Sequence, residues 1–445
     1  MKFKSSLSKI VTLSSVFKYG QNMLYLVAAN VTRTVTSLIF TFLLAREYGP
    51  SQFGAYSFVL SLVILISIFP FLGLQNICRR ELVEFPENKS AILGTCGTIT
   101  FVSSLVILFI FIIGIKFYLT DPILNLMALI MGGSILLTPF RFIPIWYQAQ
   151  VEGQLIFFST FVGLVASLLL RLLCIYSNQS IVSFSIIFTF EFLLLGILSV
   201  GLYKKFFCRK LVFDFDLKLA KKLLNQSWPL ILTGFSATAA IRIDQIMIGH
   251  IEGNNALGVY AAASRVSMTF YVIPQIVALS LFPAIINSSK KEVKEKYFNK
   301  VQCFFDLNVA LAYLVIGSVV IFSPQIINLI YGDEYRFSAN VLSIHVWSNI
   351  FFFLAIARSQ FCVAESLLKF EMLSNLFGCI LNISLNLILI PSKGIIGAAY
   401  ATIISQMVSV IFLCFLYKKT FKLGFISLNA LYLKGLIQSI VRFIK

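Results

Sequence analysis

The stretch AILGTCGTITFVSSLVILFIFIIGI, residues 91–115, contains no Asp, Glu, Lys or Arg. A helix of about 20 apolar residues is long enough to cross the roughly 30 Å hydrocarbon core of a membrane. Because the backbone finds no water in that core, only helices and closed barrels span it, and so long and continuous an apolar run is typical of a helix. Residues 91–115 therefore predict a transmembrane helix.

The rest of the chain repeats this pattern. Of its 445 residues, 59% are hydrophobic and only 12% are charged, and the mean hydropathy is +0.91. This composition leaves too little polar surface to cover a soluble globule. We therefore predict an all-α integral membrane protein with about 12 transmembrane helices, near residues 23–44, 54–76, 91–115, 122–142, 153–175, 180–203, 226–250, 257–282, 303–323, 339–363, 368–390 and 395–417.

The positive charges indicate how the chain is oriented. Cytoplasmic loops of membrane proteins are rich in Lys and Arg, and here these residues cluster in the N-terminus, in the central gap after residue 203 and in the gap at 284–302. Both termini are therefore predicted to be cytoplasmic. This topology also explains the net charge of +18, so nucleic acid is not an expected partner. The few positive charges of the opposite side are Arg46, Lys116, Arg171, Arg336 and Lys393.

The Cys and His residues predict neither a metal site nor a disulfide framework. The eight cysteines have no paired spacing. The two histidines, His250 and His345, are far apart and have no acidic neighbour at ligand spacing. We therefore expect no metal and no cofactor.

The chain divides into two halves. FGAY at 53–56 aligns with LGVY at 257–260, and the same offset in sequence aligns the first span with the seventh. Six spans in each half, both entering from the cytoplasm, predict a parallel repeat with a site in the cleft between the halves. The predicted segments are an N-terminal six-helix bundle at 1–205, a basic cytoplasmic linker at 206–225, a C-terminal six-helix bundle at 226–418 and a basic amphipathic cytoplasmic tail at 419–445.

Charged side chains inside the spans are the candidate functional residues. Arg33 lies near the middle of the first span, Arg242 and Asp244 lie in AAIRIDQIMIG at 239–249, and Arg265 lies in the eighth span. An arginine at the centre of a span costs roughly 2.5–3.5 kcal/mol on insertion scales. Such residues are therefore expected to have a function.

Helix geometry suggests how these side chains pair. Arg242, Asp244 and Arg265 lie at a similar depth, roughly 9–12 Å from the predicted periplasmic surface at 1.5 Å per residue. Arg242 and Asp244 are two residues apart and point about 200° away from each other, which leaves Asp244 to pair with Arg265. Arg33 and Arg242 would then be uncompensated charges that face an anion or a hydrated cavity.

Less specific interpretations remain open for the same residues. The arginines could brace neighbouring helices or extend their charged ends toward the interface. The candidate binding residues for an anionic headgroup are Arg33, Arg242 and Arg265. Asp244 is the candidate either for coupling transport to an ion gradient or for a salt bridge.

Four motifs together resemble one family. They are AREYGPSQFGAYSF at 45–58, IRIDQIMIG at 241–249 followed by ALGVYAAASR at 256–265, LIYGDEYRFSANVL at 329–342 and LNLILIPSKGIIGAAYAT at 385–402. In sequence and order they are similar to the polysaccharide flippases of the Wzx type, the O-antigen exporters. The resemblance covers essentially the whole chain. It implies the fold of the multidrug/oligosaccharidyl-lipid/polysaccharide exporter superfamily, two six-helix bundles around a central cavity.

The resemblance also implies a function. Such a protein moves an undecaprenyl-diphosphate-linked oligosaccharide repeat unit from the cytoplasmic to the periplasmic leaflet of the bacterial inner membrane, for O-antigen or capsule assembly. Expected partners are that lipid-linked oligosaccharide, membrane lipids, H⁺ or Na⁺ as a coupling ion, and other polysaccharide-assembly proteins. Arginines in a hydrated cleft suit a diphosphate, because they offer it charge-assisted hydrogen bonds.

Two other functions compete with this interpretation. A multidrug exporter, or an exporter of another lipid-linked precursor, belongs to the same superfamily, but three intramembrane arginines beside one aspartate disfavour a cationic drug. A repeat-unit polymerase or ligase is also a protein with many spans. Such enzymes typically place their working residues on a long periplasmic loop, and the predicted periplasmic gaps here are short. We therefore expect a transporter and not an enzyme.

Overall fold

A computed structural model describes residues 13–207, 214–278, 281, 294–433 and 435. The helices of this part are α1 (Leu13–Ile66), α2 (Leu74–Glu84), α3 (Lys89–Tyr118), α4 (Pro122–Gly132), α5 (Phe142–Ala149), α6 (Gly153–Tyr176), α7 (Ile181–Phe207), α8 (Leu217–Ile251), α9 (Gly253–Thr269), α10 (Lys294–Tyr331), α11 (Ser338–His345), α12 (Ser348–Ala364), α13 (Leu368–Lys393), α14 (Ile395–Val410) and α15 (Phe421–Leu431).

The number of membrane spans agrees with the sequence prediction. In the described part, 11 helical stretches are long and apolar enough to cross a membrane. The first of them, Lys18–Phe71, overlaps most of α1, which has 54 residues and is interrupted at Gly49, where φ is 72°. At 1.5 Å per residue α1 is about 80 Å long, enough for two crossings. The all-α transmembrane fold with about 12 spans is therefore confirmed.

The chain forms two compact units. The first contains residues 1–47 and 62–235, and the second contains residues 48–61 and 236–445. This division differs from the predicted segments, because 48–61 groups with the second unit and the start of α8 groups with the first. Much of the predicted linker is helical, since α8 begins at Leu217. Residues 1–12, 208–213 and 436–445 lie outside the described residues. They include the last ten residues of the predicted tail at 419–445, whose earlier part contains α15.

A break in the fourth predicted span shapes the first unit. After α4 the chain forms a 3₁₀ segment, Gly133–Arg141, with Pro139 inside it, and then continues as α5. Proline has no N–H to donate and clashes with the preceding turn, so a regular α-helix is interrupted there. The segment packs against α3 and α7. It places Phe140 and Arg141 at the inner surface of the unit's cavities.

In the second unit, α13 and α14 form a tightly packed hairpin. Gly394 joins them with φ of 60°, a conformation that favours glycine. A Cβ atom on Gly397 would lie 2.0 Å from the backbone oxygen of Leu389, so only glycine allows α14 to start this close to the end of α13. The small residues of the IPSKGIIGAAY stretch therefore permit close helix packing.

The two repeat motifs meet at a close crossing of α1 and α9 within the second unit. A Cβ atom on Gly54 would lie 1.8 Å from the backbone oxygen of Asn254. A Cβ atom on Gly258 would lie 1.9 Å from the backbone oxygen of Pro50. The sequence offset that aligns FGAY with LGVY also aligns Pro50 with Asn254. The contact is therefore reciprocal, as expected for two copies of a repeat, and we call these four residues the glycine crossing.

Adding a methyl group at the glycine crossing should destabilise the protein. Gly54→Ala and Gly258→Ala would each force the two backbones apart, at a cost of about 1–3 kcal/mol for overpacking. Gly317→Ala in α10 is the matched control, because a Cβ atom there would meet nothing within 4 Å. The measurement is the midpoint of thermal unfolding in detergent. Equal midpoints for the three variants would contradict the role of the crossing.

Candidate functional site

The first unit contains a cavity of about 320 Å³ that is rich in arginine, and we call it the arginine cavity. Its positive charges come from Arg33, Arg79 and Arg141. The described residues that line it include no Asp or Glu. Neutral polar groups complete the lining, and they belong to Asn30, Gln75, Gln148, Ser159, Thr160 and Ser199.

Three separate elements position these arginines. Arg33 is carried by α1, Arg79 by α2, and Arg141 ends the 3₁₀ segment that follows α4. All three side chains are exposed in the structure. The guanidinium of Arg141 also lies over the ring of Phe71, 4.8 Å from its centroid, a geometry in which a cation is attracted by the aromatic face.

A cluster of ion pairs holds α2, and with it Arg79, in place. The buried carboxylate of Glu81 accepts a hydrogen bond from Lys222 of α8 at 2.9 Å and one from Arg80 at 3.1 Å. Burial raises the pKa of Glu81, but the hydrogen bonds from Lys222 and Arg80 outweigh it, so the pKa is lowered. The carboxylate therefore stays ionised and links α2 to α8.

In the described part of the chain, no acid compensates the charges of the arginine cavity. Among the described residues, no ion pair joins Arg33, Arg79 or Arg141 to a carboxylate. Positive charges gathered in one cavity repel one another. An anion that accepts charge-assisted hydrogen bonds from the guanidinium groups would reduce that repulsion. The cavity is therefore suited to an anionic ligand.

The second unit surrounds Asp244 with neutral hydrogen-bond donors. Its carboxylate accepts from the hydroxyl of Tyr260 at 2.9 Å, from the amide of Asn386 at 2.7 Å and from the hydroxyl of Thr402 at 2.5 Å. Asn386 also donates to Asn382 at 3.1 Å. Asp244 is only 3% exposed. The side chain therefore lies in a buried polar cage formed by α8, α9, α13 and α14.

The predicted pair between Asp244 and Arg265 is not among the contacts described for Asp244. Arg265 instead interacts electrostatically with Tyr56 and Tyr331. Arg242 lies 3.5 Å from the side-chain oxygen of Gln245. Asp244 thus has neutral partners, so the salt-bridge interpretation lacks the expected contact.

The four predicted site residues fall into different units. Arg33 belongs to the first, and Arg242, Asp244 and Arg265 belong to the second. Arg242 and Arg265 are near enough for their charges to interact. A cavity of about 280 Å³ in the second unit adjoins the Asp244 cage, because Asn382 and Thr402 line it. No group of three or more His, Cys, Asp or Glu side chains that could hold a metal occurs in the described ranges.

Sequence reasoning missed four charged residues that matter. Arg79 lies just after the predicted span 54–76 and Arg141 lies at the end of the predicted span 122–142. Neither is among the candidate site residues, although both line the arginine cavity. Arg171 is predicted among the positive charges on the side of the membrane opposite the cytoplasm. In the structure it is 7% exposed and forms an ion pair of 2.8 Å with Glu191. Arg358 lies inside the predicted span 339–363 and is not among the candidate site residues. It is fully buried and lies 3.0 Å from Glu371.

Comparison with known proteins agrees with the sequence motifs. A sequence profile described as "Polysaccharide biosynthesis protein" matches residues 19–289, more than half of the chain. The chain belongs to the polysaccharide biosynthesis protein family. A second profile, MatE, matches residues 229–388. The family resemblance inferred from the motifs is thereby confirmed.

Relatives of this family member are named as flippases or capsule proteins. It is 25% identical over 194 residues to the "Probable low-salt glycan biosynthesis flippase Agl15" of Haloferax volcanii, which is 44% of this chain and 41% of Agl15. The chain thus spans about two fifths of that relative. It is 20% identical over 410 residues to the "Capsular polysaccharide biosynthesis protein CapF" of Staphylococcus aureus, covering 90% of this chain and 100% of CapF.

A solved structure has the same fold as this member of the polysaccharide biosynthesis protein family. The "Lipid II flippase MurJ, inward closed conformation" superimposes with a TM-score of 0.71. The two chains are 18% identical, and the match covers 94% of this chain and 93% of MurJ. At this identity the likeness establishes the fold alone.

Breaking one buried ion pair of this family member should cost more than removing both partners. Arg171→Ala leaves the buried carboxylate of Glu191 without its positive partner and, among the described residues, with only the hydroxyl of Ser167 as a donor. We expect this to lower the free energy of unfolding by about 3–5 kcal/mol. The double variant Arg171→Met, Glu191→Gln should recover most of that loss. Thermal unfolding in detergent measures both, with Lys116→Ala as an exposed control. If Arg171→Ala is as stable as Lys116→Ala, the buried ion pair between Arg171 and Glu191 does not stabilise the protein, and the prediction is wrong.

Proposed function

We propose that this protein is a flippase for an undecaprenyl-diphosphate-linked oligosaccharide, which it moves from the cytoplasmic to the periplasmic leaflet of a bacterial inner membrane. The observation that carries the proposal is the arginine cavity, with three arginines and no acid in its described lining. A diphosphate brings negative charge that must cross an apolar core, and guanidinium groups bind it by charge-assisted hydrogen bonds.

The charge of the cavity also separates this function from its alternatives. A cavity that contains Arg33, Arg79 and Arg141 repels a cationic drug. A polymerase or ligase would need catalytic residues, whereas the lining of this cavity has the chemistry of an anion-binding site. The names of Agl15 and CapF favour a carbohydrate cargo. Arg242 and Arg265 of the second unit remain candidate residues for an anionic headgroup, as their positions inside predicted spans suggested.

Asp244 is the proposed coupling residue. Its cage offers only neutral donors, from Tyr260, Asn386 and Thr402, so no arginine is committed to neutralising the carboxylate there. A proton or a sodium ion can therefore perform that neutralisation during the transport cycle. The orientation proposed for the chain places both termini in the cytoplasm, in keeping with its distribution of Lys and Arg.

The cellular test of the proposal is deletion of the gene in its own bacterium, followed by extraction of lipid-linked intermediates from each leaflet. A flippase predicts that complete repeat units accumulate on the cytoplasmic leaflet and that surface polysaccharide is lost. Single repeat units that reach the periplasm but remain unjoined would instead identify a polymerase or ligase, and would overturn the proposal.

Neutralising the arginine cavity should stop transport without unfolding the protein. A hydrogen bond to a charged group contributes about 1.5–3 kcal/mol, so Arg33→Ala, Arg79→Ala or Arg141→Ala should each slow export by roughly tenfold or more. Lysine at the same positions should restore part of the activity, because it keeps the charge but not the bidentate geometry. The measurement is surface polysaccharide at matched levels of protein in the membrane.

The matched control for these arginine variants is Lys116→Ala, which removes one exposed positive charge outside the cavity. Normal export by all three alanine variants would exclude an anion site in the arginine cavity.

Replacing Asp244 tests the coupling role separately. Asp244→Asn keeps the shape of the side chain but removes its charge, so gradient-driven transport should be lost while substrate exchange without a gradient continues. Asp333→Asn, at an exposed aspartate, is the matched control. Transport is measured in proteoliposomes with an imposed H⁺ or Na⁺ gradient. Unchanged gradient-driven transport by Asp244→Asn would contradict the coupling role.

A further inference from the structure

The first unit has a second cavity, an apolar groove of about 800 Å³. We call it the inner groove. Its walls are Phe101 of α3, Phe140 and Ile143 beside the break in the fourth span, and Val200 of α7. One charged residue lines it, Lys204. A groove with an apolar wall and a positive charge at one end suits an amphiphile with an apolar chain and an anionic head.

The inner groove and the arginine cavity share one wall. Phe140 lines both of them, and the next residue, Arg141, lines the arginine cavity. Gly196 of α7 allows Phe140 this position, since a Cβ atom there would lie 3.2 Å from the Cβ and Cγ atoms of Phe140. A single aromatic side chain, 41% exposed, therefore lies between a polar space and an apolar one.

The groove lies toward one end of the unit. Phe101 is 12 residues after the start of α3 at Lys89, and Lys204 is three residues before the end of α7 at Phe207. At 1.5 Å per residue both lie within about 18 Å of the helix ends. In the proposed orientation these ends are cytoplasmic. In that orientation the groove lies in the cytoplasmic half of the unit, on the side from which a lipid-linked substrate would enter.

We propose that the inner groove binds the isoprenoid chain of the substrate while Arg141 binds its diphosphate, with Phe140 as the side chain around which the lipid bends. The proposal rests on the proposed function and adds the place of the tail. A lipid-linked substrate cannot bring its chain into a polar cavity without exposing apolar surface to polar groups. A groove that adjoins the cavity at Phe140 keeps the chain in apolar surroundings while the head reaches the arginines.

Photocrosslinking tests the position of the isoprenoid chain. A photoreactive amino acid replaces Phe101 in the inner groove or, as the matched control, Phe109. Both are exposed phenylalanines of α3, but only Phe101 lines the groove. The probe is labelled undecaprenyl diphosphate, added to the full-length protein in nanodiscs. We expect crosslinking at position 101 to exceed that at 109 by roughly tenfold or more.

Competition identifies the lipid that occupies the groove. Unlabelled undecaprenyl diphosphate should suppress crosslinking at position 101, whereas excess phosphatidylglycerol should not. Suppression by phosphatidylglycerol to the same extent would mean that Lys204 and the groove hold an ordinary anionic phospholipid, and would overturn the proposal. Equal crosslinking at 101 and 109 would also overturn it.

Two further measurements separate the groove from the arginine site. In the Arg141→Ala variant, labelled undecaprenyl diphosphate should no longer crosslink preferentially at position 101. Labelled undecaprenol, which lacks the diphosphate, should crosslink there as it does in the wild-type protein. Titration of the wild-type protein with undecaprenyl diphosphate measures binding of the head independently. Binding without preferential crosslinking at 101 would reject the groove and leave the proposed function standing, whereas absence of binding would reject both.

Discussion

An unpaired positive charge in an apolar helical bundle is the constraint on which this structure depends. Loss of hydration makes such a charge costly unless an opposite charge compensates it. The chain compensates some of its buried arginines permanently, since Arg171 pairs with Glu191 and Arg358 pairs with Glu371. The arginine cavity receives no such acid from the described residues. That contrast between paired and unpaired arginines distinguishes bracing of the bundle from binding of a ligand.

Backbone packing has to hold these charged groups in position without help from the hydrophobic effect, because lipid surrounds the helices. Close helix approach through small residues supplies the necessary contact area. At the glycine crossing, the reciprocal contacts of Gly54 and Gly258 join α1 and α9. At the α13–α14 hairpin, Gly397 brings together the two helices that carry Asn386 and Thr402. Asp244 therefore depends on glycines that have no polar function of their own.

Sequence reasoning predicted the fold better than the site, for physical reasons. Hydropathy and span length determine the helices, and the repeat offset predicted the correspondence of Gly54 and Gly258. Pairing between helices is different, because it depends on rotation and register that one sequence does not define. Asp244 was therefore assigned to Arg265, although its described partners are neutral. Arg79 and Arg141 lie close to the ends of predicted spans, where loop charges are common, and Arg141 reaches the arginine cavity at the end of the 3₁₀ segment that contains Pro139.

Transport by the purified protein tests the central claim, that unpaired arginines carry a diphosphate across the membrane. The protein is reconstituted in liposomes with a fluorescent saccharide linked to an isoprenyl diphosphate, and a membrane-impermeant quencher reports the fraction of lipid in the outer leaflet. The account predicts fast exchange between leaflets with the wild-type protein and loss of that exchange when Arg33, Arg79 and Arg141 are replaced together by alanine. Exchange by the folded triple variant at the wild-type rate would contradict it.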